Sequence, residues 1–118
     1  MAVHNEIGKK GEILAADFIK KKGYRIVTSN WRHRKKEVDI IAWDGAELVI
    51  VEVKLRSTDY FGDPSEAVTK KKQRFLVEAA EAYLSTIAED PEVRFDIISI
   101  IASGNKYIFD HITDAFNP

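Results

Sequence analysis

The chain contains no cysteine, which removes disulfides, thiolate nucleophiles and cysteine-ligated zinc from consideration. Its three histidines form no His-x-x-His pair, so a histidine-based metal site has no sequence support. No apolar run approaches the roughly 18 residues of a membrane span. The opening Met1-Ala2-Val3-His4-Asn5-Glu6 is polar and lacks the apolar stretch of a signal peptide. A cytoplasmic location without membrane association is the resulting expectation. Nor does either charge dominate: the net charge of −1 gives no direct sign of nucleic acid.

What remains is an ordinary globular composition, 45% hydrophobic and 31% charged over 118 residues. That length suits a single domain over residues 1–118 with its own core. The charge is unevenly placed along the sequence. Residues 1–36 carry ten Lys/Arg against three Asp/Glu, and residues 77–118 carry two against eight. Such an asymmetry can present phosphate-attracting surface on one side only, unless folding intermingles the segments.

Periodicity predicts a helix over residues 6–22, with Leu14, Ala15 and Phe18 on its apolar stripe and Gly23 as its stop. Glu12 borders that stripe and can point toward whatever the helix covers. A strand over 24–28 follows, then the basic run Arg32-His33-Arg34-Lys35-Lys36. Two further strands contain Glu37-Val38-Asp39-Ile40-Ile41 and Val49-Ile50-Val51-Glu52-Val53-Lys54, separated by Asp44-Gly45, a strong hairpin signal. A helix is expected over 65–87 and two final strands over 93–101 and 106–112. The order α-β-β-β-α-β-β describes an α/β domain, a mixed sheet of about five strands flanked by helices. The crossover helix permits parallel pairing of the third and fourth strands.

The two middle strands carry the chemistry. Three carboxylates and a lysine sit inside otherwise apolar strand cores, where ionised groups are costly unless paired or bound to a cation. Side chains alternate along a strand, so Glu37 and Asp39 share a face, as do Glu52 and Lys54. The expected hairpin registers put Asp39, Glu52 and Lys54 together. Two like charges at ~4 Å repel by about 4 kcal/mol at an effective dielectric of 20. Lys54 offsets part of this, and a divalent cation offsets more. Oxygen-only donors suit Mg²⁺ or Mn²⁺. A plain salt-bridged strand pair is the competing reading, and an isolated Glu-x-Lys would favour it.

These residues resemble the core motif of the PD-(D/E)xK nuclease superfamily. Over nearly its full length the chain also resembles the YraN-like family of small bacterial proteins. The landmarks are Gly8, Gly11-Glu12, Gly23-Tyr24, Asn30-Trp31-Arg32, the two motifs above, Lys72-Gln73, Phe95-Asp96 and Ala115-Phe116. The chain is similar, more distantly, to archaeal Holliday-junction resolvases. The resemblance implies a restriction-endonuclease-like fold and a nuclease-like activity. It also implies that Asp39, Glu52 and the Val53 carbonyl bind a catalytic Mg²⁺ (or Mn²⁺), with Lys54 assisting the attacking water. Glu12 completes the metal or water network in this scheme, and Glu37 and Gln73 support the site. Lys36 departs from the family, which usually has glycine there, and so loses a φ > 0 option at the strand entry.

The partner expected is nucleic acid, DNA in the first instance, with a homodimer implied only by analogy with the resolvases. Arg32, Arg34, Lys35 and Lys36 form a phosphate-contacting edge beside Trp31, although a lysine-rich strand edge also serves to deter aggregation. Arg56 is two residues beyond Lys54 on the same strand face. Lys72 falls in helical register with Val68 and Leu76 and is expected to face inward. Non-catalytic nucleic-acid binding and protein docking are the alternative functions.

Overall fold

The computed structural model describes residues 2–57 and 68–117, with side chains described from Lys9 onward. Five strands form one sheet in the order β1-β2-β3-β4-β5: β1 (Arg25–His33), β2 (Lys36–Asp44), β3 (Glu47–Ser57), β4 (Val93–Ser103) and β5 (Lys106–Ile112). Helix α1 (Ala2–Lys21) precedes them and α2 (Lys70–Leu84) lies between β3 and β4. The element order is the one expected. The β3–β4 pair is parallel and the other three pairs are antiparallel, because α2 supplies the long crossover that a parallel neighbour requires. No described helix is long and apolar enough to cross a membrane.

Alternation along β3 sorts the core into two layers. Leu48 and Ile50 pack with Phe75, Leu76, Ala79, Ala80 and Tyr83 of α2. Val49 and Val51 pack with Ala15 and Ile19 of α1. The sheet is therefore covered on both faces, as its near-continuous apolar strands require. Gly23, at φ 97°, ends α1 through a bond from its N–H to the Lys20 carbonyl, with the Tyr24 N–H returning to Ile19. Thr69 caps α2 by accepting the Lys72 N–H at 3.1 Å. The helix start expected at Ser65 lies outside the described residues.

Gly11 lets α1 sit close to β3. A Cβ at this position would stand 3.2 Å from the Leu55 Cβ and 3.6 Å from a Val53 methyl. Gly11→Val is expected to force the helix and strand apart and cost about 1–3 kcal/mol, readable as a lowered urea midpoint at unchanged m-value. An unchanged midpoint would mean that the approach is not tight in solution.

Two turns differ from the sequence expectation. The β2–β3 loop is Gly45-Ala46, closed by the Asp44↔Glu47 pair, one residue later than Asp44-Gly45; the Trp43↔Leu48 register it sets is the one a four-residue loop would also give. Gly45 supplies φ 60° at the first loop position, where type II′ hairpins use glycine. In the β1–β2 hairpin the left-handed residue is Arg34, at φ 60°. Lys36 pairs with His33 as the first residue of β2. The lysine in place of glycine thus meets no conformational demand.

Candidate active site

Strand β2 does not alternate regularly through its acidic segment. Val38 belongs to the α2-side core and Ile40 to the α1-side core, although they are two residues apart. On the neighbouring strand, Asn30 takes φ 55° between the Ser29↔Ile40 and Trp31↔Val38 pairs. The strand turns over at Asp39. Simple alternation fails where a strand is locally irregular, yet Glu37 and Asp39 both act on Glu12 of α1. Glu37 also forms an ion pair with Arg32 at 3.1 Å on the β1–β2 hairpin.

Asp39 occupies the seam this creates. The β2–β3 ladder ends at Ile40↔Val51, while β3 continues beside β4 as far as Ser57. The Val53 N–H, left without a β2 carbonyl, donates to Asp39 Oδ2 at 2.8 Å. A residue's N–H and C=O project from the same strand edge, so the Val53 carbonyl faces the same seam.

From the α2 side comes Glu52, whose residue is 3% exposed. Its Oε2 lies 3.3 Å from Lys54 Nζ and 3.5 Å from Lys72 Nζ. The other oxygen, Oε1, is buried and has no hydrogen-bond partner among the described residues. A buried carboxylate oxygen without a donor leaves part of its desolvation cost uncompensated. From the α1 side comes Glu12, close enough to the Asn30 and Asp39 side chains for each to act on its ionisation.

The electrostatics follow from this crowding. Burial and then the charge of Glu52 push Asp39 up to about 7, with Glu12 adding to the rise and the Val53 N–H and Lys72 opposing it. Glu12 is also raised, first by burial and further by Glu37 and Glu52, while its hydrogen bonds to Asn30 and Asp39 pull it down.

The donors in the seam are all oxygens: two carboxylates and the backbone carbonyl of Val53. That set suits a hard divalent cation such as Mg²⁺ or Mn²⁺, and Glu52 Oε1, without a hydrogen-bond partner among the described residues, marks where added positive charge would be welcome. Among the described residues, no group of three or more Asp, Glu or His side chains already stands at metal-holding distances. The chemistry of the donors fits the ion, and the resting side-chain positions are not drawn up around one point.

A family model described as "Uncharacterised protein family UPF0102" matches residues 11–100. The chain belongs to the UPF0102 family. A UPF0102 protein of Phocaeicola vulgatus is 45% identical over 118 residues, covering 100% of this chain and 98% of its own. Relatives from Christiangramia forsetii and Bacteroides thetaiotaomicron are 48% and 47% identical, with 98% or more of each chain covered. The YraN-like resemblance is thereby borne out.

In this UPF0102 chain the basic residues divide into two groups. Lys72 reaches Glu52, and Arg56 lies half-buried on the same face of β3 as Glu52 and Lys54. Arg34, Lys35 and Lys36 stand instead at the β1–β2 tip, facing Lys71 and Arg74 of α2. Gln73 supports the start of α2, its amide donating to the Val68 carbonyl at 3.2 Å, and not the carboxylates.

Sequence reasoning passed over two features of the UPF0102 site region. Asn30 acts on Glu12 from a left-handed backbone at φ 55°, and asparagine's tolerance of that conformation was the available signal. The second is a buried polar cluster on the α1 face. Arg94 Nε and Nη2 bind the two oxygens of Asp96 at 2.9 and 3.0 Å, and Nη1 reaches Asp44 and Glu47. His111 Nε2 lies 2.8 Å from Asp96, and Lys22 Nζ lies 3.0 Å from His111 Nδ1. An ammonium can only donate, so Nδ1 accepts and Nε2 carries the proton offered to Asp96. Arg94 Nη2 also donates to the Tyr24 hydroxyl, whose pKa burial and the Asp96 charge push up to about 12.

Proposed function

We propose that this protein is a Mg²⁺- or Mn²⁺-dependent nucleic-acid phosphodiesterase of the PD-(D/E)xK type. The observation that carries the reading is Glu52: buried, doubly paired through Oε2, and without a donor at Oε1 among the described residues. A salt-bridged structural glutamate would use both oxygens. A carboxylate meant to receive a cation keeps one available, and Asp39 and the Val53 carbonyl face the same seam. These three would hold the ion. A divalent cation there supplies Lewis-acid stabilisation of the charge developing on the phosphoryl oxygens.

The chain's own residues do the rest. Lys54, next to Glu52, orients the attacking water and stabilises negative charge in the transition state. Glu12, as a carboxylate beside Asp39, can take up the proton that leaves the nucleophile. Arg56 and Lys72 flank the seam as phosphate contacts. DNA with branched or single-stranded character is the substrate class proposed, acted on in the cytoplasm, with a homodimer as the assembly suggested by the resolvase resemblance.

A second reading is nucleic-acid binding without turnover. It is favoured by the resting geometry, in which Lys54 is engaged by Glu52 and no three-donor group is preformed among the described residues. A panel of labelled DNA and RNA structures incubated with Mn²⁺ separates the two. Cleavage by the wild type, abolished by EDTA and reduced about 10²–10³-fold in Lys54→Ala, supports the hydrolytic reading. Equal products from both proteins would place the activity elsewhere. Salt-dependent binding with no cleavage would leave the second reading standing.

A further inference from the structure

A concavity of about 570 Å³ opens between the tip of the β1–β2 hairpin and the first turns of α2. Among the described residues, five cationic side chains, Arg34, Lys35, Lys36, Lys71 and Arg74, line it against one carboxylate, Glu78. Gathering like charges this closely is unfavourable without an anion to share, and the volume is that of a site for a nucleotide-sized ligand.

The hairpin turn points the same way. Arg34 adopts φ 60°, a conformation that glycine or asparagine would take at lower cost. A strained residue that presents a guanidinium to a charged cleft suggests that the side chain is wanted there. Beneath the cations runs a row of rings. Trp31 and His33 are parallel, 2° apart in plane with centroids at 6.2 Å, and His33 lies 6.2 Å from Phe75. His33 and Phe75 line the concavity itself. Lys72 joins this cleft to the carboxylate seam, standing 5.6 Å from the Phe75 ring centre and 3.5 Å from Glu52.

We propose that this cleft seats a nucleotide of a single-stranded nucleic acid next to the phosphodiester presented to Glu52 and Asp39. Arg34, Lys36, Lys71 and Arg74 contact its phosphates, and its base lies against His33. A duplex offers the same phosphates but hides the faces of its bases, so the combination of cations with rings selects an unpaired strand. The proposal deepens the nucleic-acid reading above, on which it rests, by naming the form of substrate.

Binding measured by fluorescence anisotropy in EDTA tests it without reliance on cleavage. The probes are a short labelled oligodeoxynucleotide, the same strand as a blunt duplex, and an abasic oligomer of equal length. The base-bearing single strand is expected to bind about tenfold tighter than either of the others. His33→Ala should remove roughly that tenfold for the base-bearing strand and leave the abasic oligomer unchanged. Arg34→Ala with Arg74→Ala should weaken all three and flatten the salt dependence by about 0.7 for each phosphate no longer neutralised. Equal binding of all three probes overturns the proposal, as does indifference to the His33 and arginine variants or displacement by polyglutamate as efficient as by oligonucleotide. Cleavage with unchanged pocket variants would sink this proposal and spare the nuclease reading. Selective single-strand binding at the pocket without any cleavage would do the reverse.

Discussion

Asp39→Asn is expected to yield a protein that is inactive and more stable than the wild type at alkaline pH. Folding raises the Asp39 pKa from 3.8 to about 7, first through burial and then through Glu52. Between those two values the folded state holds a proton that the unfolded state has released, so stability falls as pH rises through this window. Above about 7 the full penalty is present. At 1.36 kcal/mol per pH unit its upper size is about 4 kcal/mol. Asparagine keeps an oxygen for the Val53 N–H and removes the charge. Thermal melts at pH 8 should therefore show the variant above the wild type by roughly 5–10 °C, with the gap closing toward pH 4. Mn²⁺ should raise the melting temperature of the wild type alone. Its apparent affinity should strengthen with pH through about 7, because the Asp39 proton must leave first. Cleavage should drop by about 10³-fold. A variant less stable than the wild type at pH 8 would overturn the electrostatic account. One that cleaved normally would remove Asp39 from the site.

Asp96→Ala should do the opposite to stability. The Asp96 side chain is fully buried and the Arg94 side chain is 12% exposed. Removing the carboxylate strips Arg94 of its bidentate partner, takes the acceptor from His111 and leaves the Asp114 N–H unpaired. Breaking one side of a buried ion pair costs about 3–5 kcal/mol. Arg94 keeps Asp44 and Glu47, which places the expected loss near the lower end, about 10 °C in melting temperature. Burial by itself would raise the Asp96 pKa, but hydrogen bonds from His111, Arg94 and the Asp114 N–H outweigh it and hold the group below its ordinary value. Its contribution is thus present above about pH 4, the usual aspartate range, and lost as pH falls through the lowered value. Acid unfolding of the wild type should be steep below pH 4 and shallower in the variant. A variant melting with the wild type would show that the cluster contributes no net stability.

The two aspartates illustrate what the sequence could and could not disclose. Strand and helix order were legible because apolar alternation and the Gly23, Gly45 and Gly104 punctuation are local signals. So was the convergence of Glu52 and Lys54, two residues apart on a regular strand, and of Lys72, one helical turn from Leu76. Asp39 was marked by its costly place among apolar residues. Its position in a seam between α1 and α2 was not, because it depends on a strand reversal tied to the backbone of Asn30 on the neighbouring strand. The Arg94–Asp96–His111 cluster draws on residues from Lys22 to Asp114, and no spacing rule connects them. The facing of Lys71 and Arg74 onto Arg34 was hidden for the same reason, having looked like ordinary solvated charge on α2. Strand β1 runs on to His33, beyond the expected end near Thr28, because pairing with β2 outweighs the weak strand preference of Ser29 and Asn30.

The meander β1–β2–β3 closes through two turns of two residues each, whereas the parallel β3–β4 pairing must wait for a much longer segment to come round. Short closures lose little entropy and form first. Asp39, Val53 and Glu52 all lie on strands of that early-forming unit, and Lys72 arrives only when α2 docks. During folding the acidic seam is thus built with Lys54 but not yet Lys72 beside Glu52, so any ion present in solution has access to it ahead of the helix.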